Sequence, residues 1–405
     1  MKYINRFIER KIEVANDSFK VVMLTGARQV GKSTVLKHLA QKENINRNYV
    51  TLDDPNALYL AINDPELFFQ QYPLPLIIGE IQYAPEIFSY IKFLIDKNDN
   101  NGQIWITGSQ NYNMLRNVQE SLAGRIAILN LHSLSLREIL NLNLPKYNNW
   151  LLLDLNSINY HMLSINDIFN YIYIGGMPAA LSFNDEQRYL YYDAYINSYL
   201  MRDVLEIGKV TKSLEFKLFL QSLAALTSQE LNYASLANVV GVSQNTIKEW
   251  VKLLEGLGII YLLKPYYSNE LKRLVKTPKV YFYDTGLCAY LSKWLTKETL
   301  QFGAANGAYF ENFVIMQLIK NYEYSQLNVN WSYYRYTQKR EIDLVLENGN
   351  ELYLFEIKMN ANPDYSIVNR FKIIEKENTH GGIICMKNEV LPINNKYNFI
   401  PASIL

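Results

Sequence analysis

A glycine-rich segment near the start of the chain narrows, more than any other feature, the folds that this sequence can adopt. Residues 26–33 read Gly-Ala-Arg-Gln-Val-Gly-Lys-Ser, which fits the pattern G-x-x-x-x-G-K-[ST] of phosphate-binding loops. The apolar run at residues 21–25 predicts a buried strand, and residues 34–39 continue as an amphipathic helix. A phosphate loop requires such a strand before it and a helix after it. Because motif and flanks agree, chance glycines in an ordinary strand-turn-helix are the weaker interpretation.

The residue types of this segment suit a nucleoside triphosphate. Gly26 and Gly31 allow close backbone approach, so that successive N–H groups can turn toward a β-phosphate. Lys32 is placed to bridge the β- and γ-phosphates, and the Ser33 hydroxyl is placed to ligate Mg²⁺. We therefore expect ATP and Mg²⁺ as ligands. The predicted nucleotide-binding residues are Gly26, Ala27, Arg28, Gln29, Val30, Gly31, Lys32, Ser33 and Thr34.

Length and composition indicate a folded chain of several domains. With 405 residues the chain is too long for one core, and about two or three domains are expected. No apolar run reaches the roughly 18 residues that a membrane helix needs, and the start lacks an apolar region of signal-peptide length. Cys288 and Cys385 lie far apart, as expected in a reducing compartment. We expect a cytoplasmic protein without a membrane partner.

Short apolar runs alternate with helical patterns through the first 140 residues. After the run at residues 21–25, the predicted strands lie at residues 48–55, 73–81, 102–109 and 125–131. Strands that alternate with helices imply a parallel sheet covered on both faces. The predicted fold class is therefore α/β, with the parallel sheet of a P-loop NTPase.

Several motifs of this region resemble those of one known family. They are Gly-Ala-Arg-Gln-Val-Gly-Lys-Ser-Thr at residues 26–34, Glu80-Ile81-Gln82 before Ala84-Pro85-Glu86, Thr107-Gly108-Ser109-Gln110, and Ser121-Leu122-Ala123-Gly124-Arg125. With them the chain resembles bacterial AAA-type ATPases that carry a restriction-endonuclease-like C-terminal domain of unknown function. The resemblance extends over nearly the whole chain.

The resemblance implies catalytic roles for a few residues. Glu80 would be the Walker B glutamate that polarises the attacking water. Ser109, or Gln110 beside it, would sense the γ-phosphate or that water. Arg125 and Arg116 are candidates for a charge delivered to the transition state, within the subunit or from a neighbouring one. The alternative for Arg125 is an ordinary surface residue at the start of a strand.

One position departs from the pattern of the family. The family places an aspartate immediately before the Walker B glutamate, and this chain has Gly79 there. That aspartate orients Mg²⁺ through its water shell, so its loss removes negative charge from the surroundings of the metal. Nucleotide binding through the loop and Lys32 is expected to survive. Hydrolysis is expected to be slow and less dependent on Mg²⁺.

A helix-turn-helix pattern follows in the middle of the chain. Residues 233–240 and 244–255 are predicted helices, joined by a turn at Gly241. Residues 258–263 and 279–283 are predicted strands, so that the whole reads as a winged helix. In the long helical pattern ahead of it, the resemblance suggests Arg202 as a second nucleotide sensor, and an ion pair is the alternative.

The charge distribution leaves the role of this region open. The net charge of +1 gives no whole-chain field for nucleic acid, so that any contact with DNA requires a local patch. The second helix of the pattern mixes acidic with basic residues on its exposed face. The predicted wing is the better candidate for a basic surface that contacts DNA, with Lys264, Lys272, Arg273, Lys276 and Lys279. DNA contact and a purely protein-packing role are both compatible with this pattern.

The last hundred residues contain two acidic residues and a lysine in a pattern suited to metal-dependent chemistry. Glu356 and Lys358 share one face of a predicted strand, and Asp343 lies on the preceding strand of a predicted hairpin. With Glu311 on the helix before them, they resemble the PD-(D/E)xK nuclease superfamily. Asp343 and Glu356 would hold Mg²⁺, and Lys358 would position water or stabilise charge. An unrelated α/β module, or a nuclease fold that only binds, is the alternative.

Together these patterns predict a chain of four segments. They are an AAA-type ATPase domain at 1–140, a linker at 141–164, a helical and winged-helix region at 165–295, and a nuclease-like domain at 296–405. The predicted function is ATP binding and hydrolysis that moves the later domains. Assembly into a homo-oligomer and action on DNA are further expectations. The alternatives are a nucleotide-gated binding protein with little ATPase activity and an ATP-regulated, Mg²⁺-dependent nuclease.

Overall fold

The apolar runs in the first part of the chain form the parallel strands that their spacing predicts. The strands are β1 (Val21–Thr25), β2 (Asn48–Thr51), β3 (Leu76–Gly79), β4 (Ile104–Thr107) and β5 (Ile126–Asn130). They pair in the order β2-β3-β4-β1-β5, and every pairing is parallel. Every residue of β1, β3 and β4 is buried, which is typical of inner strands in a helix-covered parallel sheet. The predicted fold class is confirmed.

The chain forms two compact units. The computed structural model describes residues 3–42, 46–97, 99–108, 118, 120–145, 161–201, 204, 212–266, 277–325, 327–337 and 340–405. The N-terminal unit consists of Asn5–Ser133 with Gly256–Ile259. The C-terminal unit consists of Met1–Ile4, Leu134–Glu255 and Ile260–Leu405.

Two of the helices in the N-terminal unit begin at clear start signals in the sequence. They are α1 (Glu9–Ser18), α2 (Lys32–Lys42), α3 (Pro55–Asn63), α4 (Pro65–Gln71) and α5 (Ile87–Asp96). The side chains of Asp54 and Asp64 accept backbone N–H bonds at the starts of α3 and α4, each ahead of a proline. The apolar sides of α3, α4 and α5 join the strands in one hydrophobic core.

The C-terminal unit begins with a helical region. Its helices are α6 (Leu136–Ile139), α7 (Ile165–Ile174), α8 (Asp185–Ala194), α9 (Ser213–Ala225), α10 (Tyr233–Val240), α11 (Gln244–Gly256), α12 (Thr285–Leu291), α13 (Lys297–Gln301) and α14 (Asn306–Tyr324). The predicted helix-turn-helix is α10 and α11: α10 ends at Gly241 (φ 76°), and the Ser243 hydroxyl accepts the Thr246 N–H at 3.1 Å. The antiparallel strands β6 (Ile260–Leu263) and β7 (Lys279–Phe282) follow.

A second, mixed sheet closes the C-terminal unit. It consists of β8 (Asn330–Thr337), β9 (Arg340–Asn348), β10 (Glu351–Ile357), β11 (Thr379–Cys385), β12 (Leu391–Pro392) and β13 (Tyr397–Pro401). Their order is β12-β13-β11-β10-β9-β8, with β8, β9 and β10 antiparallel and β10, β11 and β13 parallel. The antiparallel part agrees with the predicted strands. Among the helices that the structure describes in both units, none is long and apolar enough to cross a membrane.

A buried aspartate joins three segments of the helical region. The Asp284 carboxylate, 3% exposed, accepts bonds of 2.8 Å from the N–H groups of Gly176 and Leu287 and from the Tyr192 hydroxyl. Gly176 follows α7, Tyr192 lies on α8 and Leu287 lies in the first turn of α12, so one side chain connects all three helices. A buried charge is tolerated there because hydrogen bonds satisfy it.

The substitution Asp284→Ala tests this connection. It leaves the buried N–H groups of Gly176 and Leu287 without this acceptor, and the Tyr192 hydroxyl with only the Ile174 carbonyl oxygen, so we expect a loss of roughly 2–5 kcal/mol in the free energy of unfolding of the C-terminal unit. Urea denaturation followed by tryptophan fluorescence measures it. The control is Asp364→Ala, which removes an exposed cap of a 3-10 helix and should change the free energy of unfolding much less. Equal shifts for the two variants would contradict the role of Asp284.

Candidate functional site

The phosphate-loop segment lies at the carboxyl-terminal edge of the parallel sheet. It follows β1, and helix α2 begins at Lys32. Because β4 lies beside β1 and β3 beside β4, all in one direction, the ends of these strands reach the same edge. Glu80 follows β3 directly, and Thr107 ends β4. The fold therefore gathers the predicted loop and the predicted Walker B glutamate at one edge.

The backbone of the loop adopts conformations that favour glycine. Gly26 has φ 138° and Gly31 has φ 99°, both outside the range of ordinary side-chain-bearing residues. A Cβ atom at position 26 would lie 2.1 Å from the carbonyl oxygen of Leu131. The shape of the loop therefore requires the two glycines of the motif. Gln29, between them, also has a positive φ angle (62°).

Two cationic side chains hold the loop in place. Lys32 is buried, and its ammonium donates to the carbonyl oxygens of Gly26 at 3.0 Å and Ala27 at 2.8 Å. Arg6 is also buried; its guanidinium donates to the carbonyl oxygens of Val30 at 2.9 Å and His132 at 2.7 Å. The sequence analysis missed Arg6, because a single arginine ahead of a helix carries no motif.

Two polar side chains lie beside the Glu80 carboxylate. Its carboxylate accepts a hydrogen bond of 2.6 Å from the Gln82 amide, and the Arg28 guanidinium of the phosphate loop lies 4.0 Å away. The backbone of Glu80 is left-handed, with φ 55°. A side-chain-bearing residue in that conformation is strained, and such strain concentrates at functional sites. The contact with Arg28 links the predicted water-polarising residue directly to the loop.

The donor set at this edge fits a nucleoside triphosphate with Mg²⁺. The Thr107 hydroxyl and the Asn130 Oδ1 atom are buried there and have no hydrogen-bond partner among the residues that the structure describes. Unpaired buried polar atoms are rare in folded proteins, and a ligand or ordered water satisfies them. The Lys32 ammonium suits phosphate oxygens, and the Ser33 hydroxyl, at the start of α2, suits the metal.

The space around Gly79 explains how the chain accommodates the missing aspartate. Gly79 pairs with Thr51 on the neighbouring strand. A Cβ atom at position 79 would lie 3.1 Å from the Tyr49 hydroxyl and 3.2 Å from the Thr51 hydroxyl oxygen. Such contacts are tighter than ordinary packing. The side chains of β2 thus occupy room that an aspartate would need.

The structure separates Arg125 from the rest of the predicted site. Its carbonyl oxygen accepts the N–H of Val21, at the start of β1, and its guanidinium bonds to Asp96, with Nε 2.6 Å from Oδ1. Arg125 therefore lies at the amino-terminal edge of the sheet, opposite the loop, and is not brought to the nucleotide site of its own chain. Ser109, Gln110, Arg116 and Arg202 lie outside the described residues.

The predicted hairpin in the C-terminal unit brings the expected residues together. In the antiparallel register Leu344 pairs with Phe355, which puts Asp343 opposite Glu356. The Lys358 ammonium lies 3.2 Å from Asp343 Oδ2 and 2.7 Å from Glu356 Oε2. Asp343 also accepts the N–H of Ile357 at 2.8 Å. Burial and the Asp343 carboxylate raise the pKa of Glu356 above its ordinary value.

Glu311 belongs to the same charged cluster through a different partner. Its Oε1 atom accepts the Tyr281 hydroxyl at 2.7 Å and lies 3.0 Å from the ammonium of Lys279 on β7. Burial raises the pKa of Glu311, and the Lys279 ammonium opposes that shift. Over the described ranges, no group of three or more His, Cys, Asp or Glu residues is arranged to hold a metal ion. This arrangement therefore does not fit the predicted metal site at Asp343 and Glu356.

The position of Lys279 corrects the predicted basic wing. Its side chain is 3% exposed and forms ion pairs with Glu311 and Glu341. A lysine in that position cannot reach a DNA backbone. Lys264 is exposed as expected, while Lys272, Arg273 and Lys276 lie outside the described residues.

Comparisons with protein families divide the chain into three matched regions. Residues 18–140 match the family described as an AAA domain. Residues 165–298 match a domain of unknown function, DUF8612, and residues 306–405 match another, DUF4143. The residues of the first match contain the parallel sheet and the phosphate loop, and this part of the chain is therefore similar to AAA domains.

Individual relatives extend over most of the chain. An uncharacterised protein of Mycobacterium tuberculosis is 27% identical over 384 residues, which cover 94% of this chain and 80% of the relative. An uncharacterised protein of Methanocaldococcus jannaschii is 25% identical over 299 residues, or 66% of this chain and 62% of that protein. Among solved structures, a Walker-type ATPase of Pyrococcus abyssi is 14% identical with a TM-score of 0.42, covering 71% of this chain and 96% of that one.

Restoring an acid at position 79 tests the account of Gly79. We expect Gly79→Asp alone to raise Mg²⁺-dependent ATP turnover little, because Tyr49 and Thr51 crowd the new side chain. In the triple variant Gly79→Asp/Tyr49→Phe/Thr51→Ala we expect a rise of roughly 10–100-fold, the range typical of residues that orient a metal. Steady-state phosphate release measures both.

Gly79→Ala is the matched control, since it adds the Cβ atom without the carboxylate. Its turnover should not exceed that of the natural chain. A triple variant that turns over ATP no faster than Gly79→Ala would show that the missing aspartate does not limit the rate.

Proposed function

We propose that this protein binds ATP with Mg²⁺ in its AAA-type domain and hydrolyses it slowly. The observation that carries this proposal is the contact between the phosphate loop and Glu80, with Arg28 4.0 Å from the carboxylate. In the proposed role, Lys32 and the loop backbone bind the phosphates, and Glu80 polarises the attacking water. Mg²⁺, when bound with the nucleotide, neutralises the charge of the phosphates.

Gly79 supports a different outcome of the same binding. Without the aspartate, ATP can serve as a retained ligand whose presence changes the chain, as in a nucleotide-gated binding protein. In either case the state of the bound nucleotide controls the later regions of the chain. The proposal also includes contact of the helix-turn-helix region with DNA and assembly into a homo-oligomer.

Steady-state ATP hydrolysis with Mg²⁺, with and without DNA, tests the proposal. We expect slow turnover in the natural chain and none in Lys32→Ala, because the variant loses the ammonium at the phosphates. Glu80→Gln should lower turnover by about 10²–10⁴-fold and leave ATP binding intact.

The outcomes separate the alternatives. Turnover that persists in Lys32→Ala contradicts the proposal. ATP that stays bound without turnover favours the nucleotide-gated binding protein. Stimulation by DNA supports a role for the helix-turn-helix region in DNA contact.

An ATP-regulated, Mg²⁺-dependent nuclease is the second candidate function. One observation favours it, namely the proximity of Asp343, Glu356 and Lys358 on paired strands. The ammonium between the two carboxylates counts against a metal at that position.

Nicking of supercoiled plasmid DNA with Mg²⁺ tests the nuclease. Any nicking by the protein should vanish in Asp343→Ala, because the pair of carboxylates is broken. Asp364→Ala, which changes an exposed aspartate elsewhere in the same unit, is the control and should nick as the natural chain does. Nicking that persists in Asp343→Ala points to a contaminant and removes this candidate.

A further inference from the structure

A pocket with a volume of about 380 Å³ lies among the helices of the C-terminal unit. Its lining residues come from α8, α9, the end of α12 and the helical segment Tyr195–Leu200 that follows α8. Pockets that bind small molecules typically have volumes of roughly 300–1,000 Å³. The described residues that line this pocket include none of the predicted nucleotide-binding or nuclease residues. It is therefore a separate candidate site.

Three aromatic side chains line the pocket, namely Tyr189, Tyr290 and Trp294. The rings of Tyr189 and Tyr290 have their centroids 5.1 Å apart. The Tyr290 hydroxyl donates to Asp193 Oδ1 at 2.9 Å, and the same oxygen accepts the Asn197 amide at 3.1 Å. These hydrogen bonds fix the Tyr290 ring beside the pocket. Aromatic side chains pack well against a further planar ring, so the pocket suits an aromatic group.

The charged residues of the pocket favour an anion. Lys217 on α9 and Lys293 after α12 both line it, and both are exposed. Neither ammonium forms an ion pair with a carboxylate in the part of the chain that the structure describes. Asp193 is the one acid among the described lining residues, and its Oδ1 atom already accepts two hydrogen bonds. The lining therefore carries an excess of positive charge.

The backbone at Lys293 has a conformation that favours glycine. Its φ angle is 59°. The N–H of Lys293 donates to the Tyr290 carbonyl oxygen, and the N–H of Trp294 donates to that of Ala289, both at 3.0 Å. This pair of hydrogen bonds ends α12 in a Schellman motif, in which glycine usually occupies the position of Lys293. A strained lysine at the edge of a pocket indicates a use for its side chain.

A second unusual backbone segment borders the same pocket. Residues Tyr195–Leu200 form a π-helix, and Ile196 and Asn197 of this segment line the pocket. π-Helical turns are rare and occur frequently at functional sites. The π-helix and the conformation of Lys293 are independent observations, and both point to a ligand at this place.

We propose that this pocket binds a small molecule that combines a planar aromatic ring with a carboxylate. The ring packs against Tyr189 and Tyr290. The carboxylate pairs with the Lys293 ammonium, and Lys217 adds positive charge. Asp193 is a positioning residue, because it contacts the Tyr290 hydroxyl. The pocket lies outside the phosphate-loop region, and this inference does not depend on the proposed ATPase activity.

A series of probes with equal ring size and different charge tests the inference. The probes are 2-naphthylacetate, its neutral amide 2-naphthylacetamide and the cationic 2-(2-naphthyl)ethylamine. Isothermal titration calorimetry of the full-length chain measures their dissociation constants. We expect the acid to bind roughly ten-fold more tightly than the amide, as a charge-assisted hydrogen bond provides, and the amine to bind most weakly. Saturating ATP with Mg²⁺ should not displace the acid, because the phosphate loop is a different site.

Variants locate the bound probe. Lys293→Gly should melt at a higher temperature than the natural chain, because glycine adopts a positive φ angle without strain, and should lose most of the preference for the acid over the amide. Lys217→Gln should weaken binding of the acid by roughly three-fold. Tyr189→Ala should weaken binding of acid and amide alike, because it removes a ring contact. Lys264→Gln, which removes an exposed lysine next to β6, is the control and should change neither.

Four results would overturn the inference. The first is an amide or an amine that binds as tightly as the acid. The second is displacement of the acid by ATP, which would assign the probe to the nucleotide site. The third is a preference for the acid that survives in Lys293→Gly. The fourth is a lower melting temperature of Lys293→Gly, which would assign the Lys293 side chain to the stability of the fold.

Discussion

The common direction of the strands in the first sheet is the constraint on which the nucleotide site depends. Parallel strands all end at one edge, so residues that lie far apart in the sequence meet there. Gly26, Glu80 and Thr107 each follow or end a different strand. The buried apolar residues of β1, β3 and β4 keep these strands in order. The positions of the functional residues at this edge therefore depend on the packing of the buried strands.

A second constraint, the cost of burying charge, organises the C-terminal unit. Lys279 and Glu356 are buried and the Glu311 side chain is only 16% exposed, so each of these charges would destabilise the fold if it were unpaired. They are tolerated because cations and carboxylates from the helical region and the sheet meet in pairs. The same pairing that makes this cluster stable also makes it unsuited to a metal ion. A resemblance in residue types does not by itself establish the chemistry of the site.

Local patterns predicted much of this protein. Short runs of apolar residues predicted the five strands, and the hairpin register that places Asp343 opposite Glu356 followed from alternation along two strands. Start and stop residues predicted α10 and α11. One prediction that failed concerns a partner: Lys279 was assigned to the basic wing and is buried against Glu311 and Glu341. Arg125, a candidate for a charge delivered within the subunit or from a neighbouring one, pairs with Asp96 at the far edge of the sheet. It is therefore not brought to the nucleotide site of its own chain, and delivery from a neighbouring subunit stays a prediction.

The sequence by itself determined the phosphate loop, the alternation of strands and helices along the chain, and the absence of an aspartate before Glu80. Each of these depends on neighbouring residues alone. Only the tertiary structure decided that Arg6 anchors the loop, that Tyr49 and Thr51 fill the space beside Gly79, and that Lys279 neutralises Glu311. The physical reason is the same in all three cases. The partner of a buried polar group depends on which distant element packs beside it, and so does the side chain that fills a gap. Local sequence patterns do not predict such long-range contacts.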